Sequence, residues 1–184
     1  MVIDLTCSAT ADAWTVLSEV VHNYKDTVKF NIRILPLPYH QFSFLVSKAA
    51  SAVYFYHGNE EAFLFMNSAI LNQPLIYNSV TNDKTYNDIK SIVKGWATNS
   101  TSMTSREFEE GFDINTSNGN TIEMFTRYEF KTVVLSGYYA TPTYSINGLH
   151  MDGLDTYDEW KEALEPLIAK NTKQIESDPS IIYL

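Results

Sequence analysis

The sequence predicts an α/β domain interrupted by helices: a β-α-β unit, a long all-helical stretch, and a closing β-β-α unit. Three observations carry this reading. Strand, helix and strand signals follow one another within the first 38 residues, the length of a β-α-β unit. From 39 to 136 the apolar spacing is almost purely helical. After 142 the alternating pattern of strands returns around an Asn147-Gly148 pair, the strongest short hairpin signal.

Taken in order, residues 2–6 (VIDLT) read as a short strand, and Trp14, Leu17, Val20, Val21 and Tyr24 mark one face of a helix from Ser8. Residues 28–38 (VKFNIRILPLP) alternate as a second strand that ends in two prolines. Its β-α-β connection makes it parallel to the first. In the middle stretch, Phe42 to Val53 and Glu60 to Asn72 predict two helices. Thr85-x-x-Asp88 and Thr104-x-x-Glu107 each open a further one, the second as a capping box. After the turn-rich NTSNGN (115–120), Ile122 to Ser136 predicts a fifth. The last helix starts near Asp155 with Trp160, Leu164, Leu167 and Ile168 as its buried stripe. Pro166 should kink or end it, leaving a tail from Asn171.

Composition narrows the function. Of 184 residues, 45% are hydrophobic, enough for a core. A net charge of −9 opposes binding to a phosphate backbone, so no nucleic-acid partner is expected. No run approaches the ~18 apolar residues of a membrane span, so no membrane is expected either. The single cysteine, Cys7, excludes an internal disulfide and CxxC zinc sites. The four histidines show no metal-ligand spacing, and no nucleotide or flavin motif is present. One thiol and no signal segment point to a cytoplasmic setting.

In parallel α/β sheets, ligands bind beyond the carboxyl ends of the strands. Two segments fall there: Thr6-Cys7-Ser8 and Pro36-Leu-Pro-Tyr-His40. Cys7 also stands where a helix begins. Free N–H groups and the positive dipole end favour a thiolate there, and such placement takes a cysteine pKa from about 8.5 to roughly 3.5–7.5. The plain alternative is a buried, inert thiol. His40 lies by topology near the same edge, as a partner for the sulfur or as a surface histidine. Trp14 reads as core, Asp12 as a solvated acid, and Tyr138 and Tyr139 as packing under the loop that follows.

Cys7-x-x-Thr10 at a strand-to-helix junction resembles the thioredoxin fold, and the helical insert makes the chain resemble its DsbA-like branch. Ala140-Thr-Pro-Thr-Tyr144, just before the hairpin, is similar to that family's cis-proline loop, and PLPYH (36–40) resembles a DsbA-like subgroup. The resemblance implies a thioredoxin-like domain formed by 1–38 and 137–171, a helical insertion at 39–136 and a C-terminal tail at 172–184. It also implies a cis Pro142 facing Cys7. The family usually has a further strand ahead of the cysteine strand, so either the sheet is smaller here or the chain is cut short.

The departure is at position 10, where the family's second cysteine is replaced by Thr10. A dithiol enzyme resolves its mixed disulfide with that second thiolate. The resemblance therefore implies a monothiol oxidoreductase, with Cys7 as nucleophile and Thr10 as hydrogen-bond donor to it. Ser8, His40, Thr141 and Pro142 would contact substrate, which is a disulfide-containing or glutathionylated protein, or glutathione. No cofactor is expected beyond glutathione as co-substrate. Two alternatives stand beside this reading. In a transferase like the kappa-class glutathione transferases, Thr10 or Ser8 would activate glutathione. In a non-catalytic module, the groove beside Pro142 would bind a peptide or partner.

Overall fold

The computed structural model describes residues 1–177. Its elements run β1 (Val2–Ile3), α1 (Ser8–Tyr24), β2 (Arg33–Ile34), α2 (Ser43–Asn72), two 3-10 turns (Gln73–Ile76 and Asn78–Val80), α3 (Tyr86–Ser100), α4 (Ser105–Phe112), α5 (Ser117–Leu135), β3 (Tyr144–Ile146), β4 (Leu149–Met151) and α6 (Tyr157–Ser177). The chain forms two compact units, Met1–Asp12 with Ile32–Thr143, and Ala13–Asn31 with the chain from Tyr144.

In the first unit, β1 pairs parallel with β2 in the register Val2↔Arg33 and Ile3↔Ile34. Along its other edge, Val2 exchanges backbone hydrogen bonds of 2.8 and 2.9 Å with Thr143 in an antiparallel bridge. Both strands are shorter than the alternation in 2–6 and 28–38 predicts. The cause is local: at Asp4 the chain turns, with Cys7 N–H donating to the Asp4 carbonyl at 3.1 Å. A parallel partner can then be no longer than the two residues β1 offers. Val2, Leu35, Leu37 and Val133 form a buried cluster that Phe130 and Tyr138 cover.

Helix α2 packs against α3, α4 and α5. Gly58, at φ 83°, breaks it between the two predicted helices; a positive φ suits glycine, which has no Cβ to clash. Within this helical layer a buried cation, Lys48, pairs with Glu123 at 2.7 Å and sits 4.9 Å from the Phe112 ring centre. The predicted capping box of Thr104 with Glu107 forms, and Thr85, expected only to open its helix, forms one with Asp88 as well. Donation from the Thr104 backbone, then from its hydroxyl, holds the Glu107 carboxyl below the usual range.

Helix α5 begins at Ser117, not Ile122, so part of NTSNGN is helical. Thr116 caps it by accepting from Gly119 N–H at 3.1 Å. Residue 119 must be glycine for that turn to close, since a Cβ there would lie 1.7 Å from the Asp113 carbonyl oxygen.

In the second unit, β3 and β4 form the predicted hairpin in the register Ser145↔His150. Asn147 and Gly148 have φ of 50° and 83°, both positive as a type I′ turn requires. Tyr144 meets Trp160 edge to face at 5.1 Å. Burial, reinforced by Asp155, pushes the Tyr144 phenol up to about 12. Helix α6 differs from expectation in two ways. It continues through Pro166 to Ser177, overlapping the start of the predicted tail; residues 178–184 lie outside the described residues. Proline removes one amide donor, and the exposed Glu162 carbonyl left without it can turn to water. The buried stripe stops at Trp160 and Leu164, since Leu167 is exposed.

Two glycines give opposite predictions. Gly119→Ala should destabilise the fold by more than about 2 kcal/mol, because backbone must move to admit the methyl. Gly95→Ala, inside α3 with open space around it, should stabilise by about 0.5–1 kcal/mol. Denaturant unfolding of both variants checks the pair.

Candidate active site

The site is built outward from Asp4, the residue that ends β1. Its side chain is fully buried. Oδ1 accepts from Thr6 N–H at 2.9 Å, Thr6 Oγ1 at 2.8 Å and Ser43 Oγ at 2.6 Å. Oδ2 accepts from Leu37 N–H at 3.0 Å and meets His40 Nδ1 at 2.7 Å. One carboxylate thus joins the turn before α1, the loop after β2 and the first residue of α2. With both oxygens fully engaged, a buried charge is tolerated where an unpartnered one would be very costly.

The Asp4 turn places Cys7 immediately before α1, and Ala11 N–H donates back to the Cys7 carbonyl at 3.1 Å. Cys7 is 8% exposed. Its Sγ donates to the Thr141 carbonyl at 3.5 Å, and the Thr141–Pro142 peptide is cis. The sulfur therefore faces the proline loop, which the Val2–Thr143 bridge holds beside β1.

Thr10 lies one turn along the helix from Cys7 and is fully buried. Its Oγ1, like that of Thr141, has no hydrogen-bond partner among the described residues. Ser8 and His40, with Thr6, Phe42, Tyr77 and Asn78, line a cavity of about 290 Å³. The structure so divides the six predicted site residues: Cys7 meets Thr141 beside Pro142, Ser8 and His40 share the cavity, and Thr10 is enclosed. Trp14 is buried as expected and Asp12 is exposed. Tyr138 packs on the sheet cluster, but Tyr139 does not pack under the loop; it is 85% exposed.

Sequence reasoning passed over Asp4, Gln73 and Tyr77. Gln73 is fully buried; it donates to the Leu5 carbonyl at 3.4 Å and accepts from Tyr77 Oη at 2.6 Å. Burial raises the Tyr77 phenol above its ordinary range, with Asp12 and then Cys7 adding to the effect. The one available signal was an acid inside an apolar strand, VIDLT. Gln73 and Tyr77 carry none.

Asp4→Ala strands the Thr6, Leu37 and Ser43 donors in the interior. It should cost about 3 kcal/mol or more, whereas Ser43→Ala, which removes one donor, should cost about 1 kcal/mol. Urea unfolding of the two variants tests the ranking.

A family model described as thioredoxin matches residues 1–166. The crystal structure of a candidate protein-disulfide isomerase from Pseudomonas syringae aligns with a TM-score of 0.73 at 21% identity, over 89% of this chain and 90% of that chain. No curated protein matches. No helix among the described residues is long and apolar enough to cross a membrane. The β-α-β and β-β-α segments, the helices between them and the cysteine facing a proline loop agree with those matches: the chain belongs to the thioredoxin family, with helices inserted between its two strand-bearing segments.

Proposed function

We propose that this protein performs thiol–disulfide exchange with a single thiol, Cys7, and that an external thiol such as glutathione completes each cycle. The observation that carries the reading is the position of the Cys7 sulfur. It stands at the start of α1, 3.5 Å from the Thr141 carbonyl, where the backbone beside Pro142 can lie against an extended substrate segment.

In the first step, ionised Cys7 Sγ attacks one sulfur of a disulfide R–S–S–R′. A Cys7–S–S–R bond forms, the original S–S bond breaks, and R′S⁻ leaves to take a proton from water. Thr10 has no thiol with which to displace R, so the mixed disulfide waits for an external thiolate. That thiolate attacks the R sulfur and Cys7 is released. No net oxidant or reductant is consumed, because one disulfide is exchanged for another. Thr10 Oγ1, buried without a partner, is the donor available to the ionised sulfur. Disulfide-containing or glutathionylated proteins are the substrates this scheme fits. The comparisons support such chemistry only through the fold; the single-thiol version rests on Thr10 standing where a resolving cysteine would.

Incubation with glutathione disulfide should give one glutathionyl adduct per chain by mass spectrometry, and none in Cys7→Ser. Thr10→Val should form it about tenfold more slowly, the equivalent of about 1.4 kcal/mol for a lost hydrogen bond to a charged group. Failure of the wild-type chain to form an adduct would refute the exchange reading. Conjugation of glutathione to a model electrophile, retained in Cys7→Ser, would indicate a transferase instead.

A further inference from the structure

A one-thiol cycle has a chemical gap. The external thiol arrives mostly protonated near neutral pH, since thiols ionise near pKa 8.5, yet only the thiolate attacks. A group at the site that receives that proton raises the attacking fraction above what solution alone supplies. We propose that Asp4 and His40 form a proton-accepting pair that activates the incoming thiol, an inference that rests on the exchange reading above.

The His40 ring is held in one orientation. Asp4 Oδ2 accepts from His40 Nδ1 at 2.7 Å, which puts the imidazole proton on Nδ1 and leaves the lone pair on Nε2. Asp4 cannot rotate away, because Thr6, Ser43 and Leu37 hold both its oxygens. The loop bearing His40 is fixed from a second side. Asn78 accepts from Gln41 N–H at 3.0 Å and donates to the Tyr39 carbonyl at 2.8 Å. The Tyr39 ring meets the imidazole edge to face at 4.8 Å. His40 keeps 24% of its side chain exposed and lines the cavity of about 290 Å³. Thr6 and Ser8, the two residues flanking Cys7, line the same cavity. A small thiol entering it meets an oriented base along a wall formed in part by the two neighbours of Cys7.

In the step proposed, R″S–H gives its proton to His40 Nε2 as its sulfur attacks the R sulfur of Cys7–S–S–R. The R″S–SR bond forms and the Cys7–S–S bond breaks. The departing Cys7 sulfur takes the proton back, directly or through one water. His40 is the catalytic residue and Asp4 its positioning residue. A histidine that only holds its loop would have the same bond to Asp4, so the test must separate proton transfer from support.

The full-length chain carrying its glutathionyl adduct is treated at about pH 8 with 2-mercaptoethanol, which is mostly protonated there, or with the more acidic trifluoroethanethiol, which is mostly ionised. Acid-quenched samples are read by mass spectrometry. In His40→Gln, release by 2-mercaptoethanol should slow about tenfold, within the reach of general-base catalysis, while release by trifluoroethanethiol should change less than about twofold. Asp4→Asn should show the same selectivity, with folding of both variants checked by thermal melts. Equal slowing with the two thiols, or none, would overturn the pair's role and leave the exchange reading standing. Absence of any adduct would remove both.

Discussion

The structure depends on one buried carboxylate. Taking Asp4 out of water costs several kcal/mol, and the cost is offset only because every donor around it is in place. Those donors come from three stretches of chain: Thr6 just beyond β1, Leu37 and His40 in the loop after β2, and Ser43 at the head of α2. None of the three can shift without unpairing a buried group. The carboxylate therefore sets where the strand stops, where α1 starts and where the helical layer is attached.

Backbone pairing completes what Asp4 begins. β1 is hydrogen-bonded on one edge to β2, the Met1 and Ile3 carbonyls accepting from Arg33 and Leu35 N–H, and on the other edge through Val2 to Thr143, so two residues of strand position the cysteine turn and the proline loop together. Thr143 also donates through Oγ1 to the Ala140 carbonyl at 2.7 Å, which closes the loop on itself. The contact between Cys7 Sγ and the Thr141 carbonyl follows from these constraints and needs no long side chain to reach across. A site held by main chain tolerates changes in neighbouring side chains.

The order of elements was legible because each rests on local rules. The capping boxes at Thr85 and Thr104, the Asn147-Gly148 turn and the break between the two halves of α2 involve residues within a few positions of one another. Cys7 and Pro142 were legible through the resemblance. What escaped was non-local. Asp4 looks like an ordinary strand residue until His40 and Ser43, 36 and 39 positions away, turn toward it. The Gln73–Tyr77 pair is local, but its purpose depends on Leu5, 68 positions away. Strand length, too, was set by a turn that only the folded carboxylate explains. The start of α5 was misplaced for a different reason: Asn and Gly are read as breakers, yet Gly119 is required there by contact with Asp113.

Thr10 shows how the altered motif fits the rest. A buried hydroxyl without a partner costs about 1–3 kcal/mol, and a core built for stability alone would place valine there at similar volume. Thr141 repeats the pattern on the loop side, with a second enclosed hydroxyl that has no partner among the described residues. One of these donors is on the residue a helical turn after Cys7 and the other on the residue whose carbonyl the sulfur touches. In the resting thiol the sulfur is itself a donor, so it has little use for them. Once it is ionised it becomes an acceptor, the state in which the proposed reading gives the unused hydroxyls a use. On the proposed reading, the hydroxyls left over beside the thiol are donors held ready for the thiolate that attacks, so stabilising that charge requires no reorganisation of the protein.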